Sequence, residues 1–489
     1  MKPTDPHFDF TMSGIEHGFY IADVSKINTY VEVDNYLSAT NEKICSTVEA
    51  EIKWEMDNKR YILANEKPKI VSALGAVPKK NSSRIRLIHD CSRPAGKSLN
   101  DFHTHDPFKY QSLQDAIDVI KPGYYLAKLD LASAYRSVKI HPSNYTATGL
   151  KWTFAGHKLP TYLVDTRLPF GAQASPGIFH KLGQAVKVML SRCHINNVIV
   201  YLDDFLIIGE SAEQCNYYLL HTIKLLRYLG FAINYSKVIG PSQCLTFLGI
   251  NLNTIDMTIS LPNEKLLELC QCLTSISQKQ KATKKCLQSL AGKLNWASQC
   301  IYGGRFHMRR IIDAITHLRC QWHRTRITRD IREDIQWWIK FLSVFNGLTK
   351  MIDSRPITPV CIDACPVAAG AYHGDQFVYT PWDWWRGSNH LHINFKETLA
   401  LEPAVAYWGH LWKNKKVLIY SDNQAAVGII NKGSCKNRFV MQSLRRVFWH
   451  SAIFNFRLKA IYIPGKENQI ADAVSRLHEH CDINDLFVT

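Results

Sequence analysis

Two apolar, β-branched runs, residues 198–201 and 205–208, enclose the pair Asp203-Asp204, and no other stretch restricts the fold of this chain as tightly. Strand-forming residues on both sides of two acids read as a β-hairpin with both carboxylates at its tip. A two-residue hairpin normally draws its positive φ from Asn-Gly or Asp-Gly, and this pair offers no glycine. Adjacent anions also repel each other. A divalent cation with oxygen ligands resolves the conflict, whereas an ordinary surface turn is the competing reading, since Asp is common in turns.

The rest of the composition narrows what surrounds such a hairpin. A length of 489 residues exceeds one core and implies about three or four domains. Lys and Arg number 59 against 42 Asp and Glu, a net charge of +17 that suits a polyanionic partner, nucleic acid first and an anionic membrane surface second. No run of about twenty apolar residues exists, so nothing is expected to span a bilayer. Residues 1–10 are polar and carry no signal peptide. Fourteen cysteines without repeated spacing indicate reduced thiols and an intracellular, cytoplasmic or nuclear, setting.

In chain order, residues 1–62 mix short helical patterns with aromatics and read as a lead-in that packs on the segments after it. Residues 73–77 and 84–88 then alternate as a hairpin, Arg84 and Arg86 on one face and Ile85 and Leu87 on the other, with Lys79 and Lys80 at the tip. Such a basic ribbon can hold a triphosphate, or can be an edge strand protected by lysine. Residues 124–129 form a strand ending at Asp130, either a helix cap or a ligand, with Tyr135 about one helical turn above it. Phe170-Gly-Ala-Gln173 supplies a glycine turn, and Ser175-Pro176 reads as N-cap and N1 of a helix to about residue 191. Ser211 to Gln214 reads as a capping box, opening a helix with Leu219, Ile223, Leu226 and Leu229 on its buried face. Strand-like residues 231–235 and 245–252 come next, then helices from residue 261. Between Gly303 and Arg332 lie eight arginines and only two acids, Asp313 and Asp330, a balance that favours contact with a phosphate backbone over a solvated face.

Residues 355–359 read as a linker into a last layer of alternating strands and helices, an α/β arrangement. Four acids there share one placement: Asp363 inside a strand, Glu397 in a first helical turn, Asp422 at a strand end and Asp472 at the start of the final helix. Capping explains three of them, with Glu397 and Asn394 forming a capping box and Asp422 and Asp472 capping helices. It fails for Asp363, because an unpaired carboxylate in an apolar strand is costly. Convergence of all four on metal ions explains them jointly.

With these residues in view, the chain from about residue 72 onward resembles the reverse transcriptases of long-terminal-repeat-type retroelements, followed by their RNase H. The resemblance rests on Asp130 as the first palm acid, Tyr201-Leu-Asp-Asp204, Leu168-Pro-Phe-Gly-Ala-Gln-Ala-Ser-Pro176, Lys237 and Phe247-Leu-Gly249. Ser98-Leu-Asn-Asp101, Pro241-Ser-Gln243 and the closing 461–476 stretch are similar to the tyrosine-recombinase (DIRS-like) group, with Ty3/gypsy next. One departure is that residues 464–468 hold no histidine, where retroviral and bacterial RNase H carry one. With no zinc knuckle, protease or integrase core in view, the chain reads as one product or fragment of an element.

The resemblance implies an α+β fold: a right-hand polymerase (fingers, palm, thumb), then an α/β RNase H-like domain. The expected boundaries are 1–62 for the lead-in, 63–255 for fingers and palm, 256–354 for a basic helical thumb or connection, and 355–480 for the RNase H-like domain. It implies two Mg2+ ions per active site, with Mn2+ as the alternative, held by Asp130, Asp203 and Asp204 and again by Asp363, Glu397, Asp422 and Asp472. Lys79, Lys80, Arg86, Phe170, Gly171 and Gln173 would meet the nucleotide and template. Tyr135 would lie beneath the sugar and select deoxynucleotides, and Lys237 would protonate pyrophosphate. The implied partners are RNA template, DNA primer, RNA–DNA hybrid and dNTPs. A domesticated, non-catalytic nucleic-acid-binding protein that keeps the fold is the alternative, and loss of the acids would be its signature; all seven are present.

Overall fold

The structure, a computed structural model, describes residues 1–78, 85–103, 107–345, 347–384 and 390–479. Lys79, Lys80 and Arg84 lie outside the described residues. The chain forms two units, residues 1–248 with 252–256, and residues 249–251 with 257–489. Both mix helices and sheets, the α+β class expected from the sequence.

The first unit begins with helix α1 (Phe8–His17) and helix α2 (Glu42–Asp57), followed by a hairpin of β1 (Ala73–Pro78) and β2 (Ile85–Asp90). The alternation read in the sequence is observed: Ile85 and Leu87 are buried with Val48 and Ile52 of α2, and Arg86 is exposed. Next come β3 (Tyr125–Asp130), the one-turn helix α3 (Ala134–Ser137), β4 (Gly149–Trp152), β5 (Thr161–Asp165) and helix α4 (Ala174–Arg192). The acidic hairpin follows as β6 (Val198–Tyr201) and β7 (Asp204–Gly209), then helix α5 (Ala212–Tyr228) and β8 (Ile239–Ser242). The central sheet has the order β8-β3-β7-β6 and is antiparallel throughout. Val198, Val200, Phe205 and Ile207 share a core with Phe179 and Leu182 of α4 and Leu219 and Leu226 of α5. Leu206 and Ile208, on the other face, are fully buried as well, which explains runs that are apolar at every position instead of alternating.

Beside this core, Arg136 is buried, and its guanidinium donates to both oxygens of Asp165 at 2.8 and 2.6 Å and to Glu55 of α2 at 3.0 Å. His89 joins from β2, 3.7 Å from Asp165, with the Tyr61 hydroxyl 2.8 Å away.

Four sequence expectations need correction here. Residues 231–235 form no strand: they pack along the loop after Asp130, bonded through Asn234 N–H to the Asp130 carbonyl and Ala132 N–H to the Ala232 carbonyl. Residues 245–252 form two strands, because Leu248 and Gly249 take φ of 49° and 80° and turn the chain. Helix α4 starts at Ala174, so Ser175 is not its cap; the Ser175 hydroxyl donates to the Pro169 carbonyl at 3.0 Å. Asp130 caps no helix, since Ser133 (φ 55°) precedes α3.

The second unit opens with helix α6 (Asn263–Ser277), β9 (Lys281–Thr283), helix α7 (Lys284–Ala297), helix α8 (Arg309–Thr316), β10 (Arg324–Arg326) and helix α9 (Arg329–Val344). The arginine run divides between exposed residues, Arg305, Arg319, Arg324, Arg326 and Arg329, and residues tied into the fold. Arg309 pairs with Asp313, and Arg332 donates to the carbonyls of Ser277 and Lys279. Arg310 reaches buried Asp334 at 3.1 Å, which also takes Arg445 at 3.4 Å. Asp334 stands just beyond the run, and Arg445 more than a hundred residues on, so this one pairing is tertiary.

A five-stranded sheet completes the unit: β11 (Ile357–Ala364), β12 (Ala368–His373), β13 (Gln376–Pro381), then helix α10 (Ile393–Leu399), helix α11 (Leu401–Trp408), β14 (Lys416–Ser421), helix α12 (Gln424–Lys432), helix α13 (Arg438–Phe454), β15 (Arg457–Tyr462) and helix α14 (Gln469–Ser475). Its order is β13-β12-β11-β14-β15, antiparallel across the first three strands and parallel across the last three. Val360, Ile362, Val417 and Ile419 face Leu399, Val405, Leu444 and Val447 in its core. The helical stretch that carries Glu397 is broken near Ala400, where Pro403 has no N–H to bond the carbonyl four residues back. Among the described residues, the cysteines are free thiols and no helix is long and apolar enough to cross a membrane.

Candidate functional site

Each unit gathers its own set of acids, and the first is built by register. Asp204 stands opposite Asp130 on β3 and opposite Tyr201 on β6, so it is the first residue of the return strand. The tip is therefore Leu202-Asp203, not Asp203-Asp204, and the strained residue is Leu202 at φ 54°. A left-handed non-glycine residue costs roughly 1–2 kcal/mol, while each fully buried Ile or Phe of the hairpin contributes about 1.5–3 kcal/mol. Burial of the runs thus easily holds the tip in place. Pairing with Asp130 and the Leu131 N–H bond to the Asp203 carbonyl at 3.2 Å bring all three acids to one end of the sheet.

The three carboxylates are held by cations and amides of the same unit. Asp130 takes Asn234 Nδ2 at 2.9 Å and Lys237 Nζ at 3.1 Å, and Asp204 takes Lys128 Nζ at 3.0 Å. Burial lifts Asp203 above the ordinary carboxylate range, and the charges of Asp204 and Asp130 add to it. An all-oxygen set with one destabilised carboxylate fits a hard divalent cation, which would take over the role of the two lysines.

Alongside, the chain stacks three of the residues expected to meet a nucleotide. The Arg86 guanidinium lies 5.1 Å from the centre of the Phe170 ring, which lies 5.4 Å from that of Tyr135. Burial raises the Tyr135 hydroxyl, with nearby Tyr110 and the charge on Asp203 adding to it, so the stack borders the acids. Gly171 has φ 123°, and a Cβ there would sit 1.9 Å from the His89 carbonyl oxygen, so only glycine allows this approach. Gln173 precedes α4, and its N–H donates to Asn100 Oδ1 at 2.7 Å while Asn100 Nδ2 donates to the Gly171 carbonyl at 3.1 Å. Asn100 thus clamps the loop, as Asn234 clamps Asp130. The sequence reading gave neither this role, although Asn100 stands in the Ser98–Asp101 motif.

In the second unit, Asp363, Glu397 and Asp422 present ligand oxygens all within 4.8 Å of one another, the one such grouping of three or more His, Cys, Asp or Glu among the described residues. The capping explanations fall away. His392 caps α10 in place of Asn394, whose Oδ1 accepts from Asn423 Nδ2 at 3.0 Å. Asn423 caps α12, and Asp472 lies within the first turn of α14, bonded to Arg476 at 2.8 Å. Asp472 is not part of the close group, but its charge is felt by both Asp363 and Glu397. Helix α14 lies directly on β12: a Cβ on Gly370 would meet Ser475 N at 2.4 Å. That contact delivers the Ser475 hydroxyl to Asp363 at 2.6 Å, another role absent from the sequence reading.

Electrostatics single out Glu397. Burial, followed by the charges of Asp363 and Asp422, pushes it up to about 9, and Asp363 is pushed up to about 6 by burial. Glu397 Oε2 is buried and accepts no hydrogen bond among the described residues. An orphaned oxygen beside two further carboxylates fits a divalent cation.

Residues 76–252 match the family model for reverse transcriptase (RNA-dependent DNA polymerase). The Transposon Tf2-3 and Tf2-7 polyproteins of Schizosaccharomyces pombe are each 22% identical to the chain over 424 residues, 82% of this chain and 28% of either polyprotein. The chain thus spans little more than a quarter of these relatives. Foamy viral protease-reverse transcriptase in complex with RNA/DNA hybrid is similar in fold at TM-score 0.56 and 17% identity, covering 91% of this chain and 56% of that one. The same protein in complex with dsDNA gives 0.54 and 18%, covering 91% and 87%.

Proposed function

We propose that the chain, with a reverse transcriptase domain of the retrotransposon-polyprotein kind at residues 76–252, is an RNA-directed DNA polymerase whose second unit is a ribonuclease H. The observation that carries the first activity is the convergence of Asp130, Asp203 and Asp204 beside the Arg86–Phe170–Tyr135 stack. The second activity rests on the Asp363, Glu397 and Asp422 group, with Asp472 as the fourth acid. Mg2+ or Mn2+, two ions at each site, would supply Lewis-acid activation of the primer 3′-hydroxyl or of water and stabilise the leaving oxygen.

The chain's own residues do the rest. Arg86, with Lys79 and Lys80, neutralises the triphosphate of a dNTP. Tyr135, packed against Phe170, cannot move away from the sugar and so excludes a 2′-hydroxyl. Lys237, beside Asp130, holds a proton next to the departing pyrophosphate. Asn100 and Gly171 fix the loop that carries Phe170 and Gln173 against the template. In the second unit, Ser475 orients Asp363, and hybrid recognition runs through groove shape and 2′-hydroxyls. The partners are an RNA template, a DNA primer and their hybrid. The Ser98–Asp101 and 461–476 motifs support the DIRS-like group, and the Tf2 likeness supports a Ty3/gypsy-like one.

Primer extension on an RNA template with Mg2+ and dNTPs, comparing the parent with Asp203→Asn, tests the polymerase. Extension by the parent alone supports it. No extension by either, from folded protein that binds primer–template, would favour the non-catalytic alternative. Release of labelled RNA fragments from a hybrid, lost in Asp363→Asn, tests the second site separately.

A further inference from the structure

Apart from both acidic groups, the second unit contains a cavity of about 330 Å³ lined by α8, the start of α9, β10 and the start of α13. Its walls carry six cations, Arg309, Arg310, Arg326, Lys436, Arg438 and Arg445, against two acids, Asp313 and Asp330. Three of the six are engaged: Arg309 with Asp313, Arg310 with Asp330, Glu333 and Asp334, and Arg445 with Asp334. Arg326, Lys436 and Arg438 make no ion pair among the described residues. Two donors are left over in the walls as well, since Arg309 Nε and Arg445 Nε are buried with no acceptor among the described residues. Burial also lowers the hold of Arg445 on its proton, as expected of a guanidinium withdrawn from water without full counter-charge.

We propose that this cavity is an anion site that takes a phosphate group. A surplus of positive charge excludes a metal cation, and several guanidinium forks converging from two helices and a strand suit an anion that accepts at many oxygens, as phosphate does. The volume exceeds what one phosphate fills, so the group arrives with something attached. Two sources share this chemistry: a phosphodiester of a nucleic-acid strand, and a free anion such as pyrophosphate. The inference stands on the cavity alone and holds whether or not the acids are catalytic.

The test uses the full chain in EDTA, so that no metal can bridge phosphate to a carboxylate. Calorimetric titration with pyrophosphate and filter binding of a 20-base-pair RNA–DNA hybrid over a salt series are measured for the parent and the variant Lys436→Gln/Arg438→Gln. Both substituted residues are exposed and unpaired, so the fold should survive, checked by unchanged melting. A control, Lys413→Gln/Lys432→Gln, removes the same charge from other exposed positions of the same unit. A backbone source predicts hybrid binding weakened about tenfold and a salt slope lower by about one to two phosphates in the cavity variant only. A free-anion source predicts the tenfold loss for pyrophosphate with hybrid binding unchanged. If both affinities match the parent, or the control weakens them equally, the proposal is overturned.

Discussion

Replacing Glu397 by Gln should stabilise the cation-free protein, because the fold holds this side chain in its neutral form. Its carboxyl titrates at 4.5 when unfolded and at about 9 in the folded chain, where burial and the charges of Asp363 and Asp422 oppose ionisation. A raised acid pKa gives stability that is whole below 4.5 and is lost as pH rises toward 9. At pH 7 the unfolded chain has already ionised the group and the folded chain has not. The interval from 4.5 to pH 7, at about 1.4 kcal/mol per unit, puts the cost at about 3 kcal/mol. Gln has no proton to lose, so Glu397→Gln should recover most of that at pH 7 and almost none at pH 4.5. Urea unfolding in EDTA at both pH values measures the difference. Added Mg2+ should then narrow the gap by stabilising the parent, whose carboxylate can meet the ion. A variant equal to or weaker than the parent at pH 7, or a gap independent of pH, would refute the reasoning.

Three further outcomes are expected. Gly171→Ala forces a Cβ to within 1.9 Å of the His89 carbonyl at φ 123°, so the loop must move, and urea unfolding should show a loss of about 2 kcal/mol or more. Asp334→Asn leaves Arg310 and Arg445 without their shared counter-ion and should cost about 3–5 kcal/mol in the same assay. Leu202→Gly removes the left-handed strain at the acidic tip and should raise stability or leave it unchanged within about 1 kcal/mol; a loss greater than that would show that the Leu202 side chain packs more than its turn is strained.

What could be read from the sequence was whatever a local pattern encodes. Asp363 stood out because an acid in an apolar strand has no local excuse, and the hairpin stood out because its runs are apolar on both faces. Helix starts were misread where a competing group a few residues away decides them. Ser175 looks like a cap until the Pro169 carbonyl takes its hydroxyl, and Glu397 looks like a capping-box partner until His392 caps instead. Asn100, Asn234 and Ser475 act across the fold on partners 71 to 112 positions away, and nothing in their neighbourhoods announces this. The pairing of Arg310 with buried Asp334, just outside the arginine run, was likewise not legible in the sequence.

Likeness to other proteins draws the domain at residues 76–252, yet the buried cation Arg136 draws it wider. One of its two acids, Glu55, comes from a helix that ends before that span begins. A chain trimmed to the matched region would keep Asp165 but leave a guanidinium in the interior with half its counter-charge, next to His89, which burial already holds down to about 4. The first 62 residues, which carry no recognisable chemistry of their own, are in this sense a missing electrode of the first unit, and expression of residues 76–252 without them should give insoluble protein.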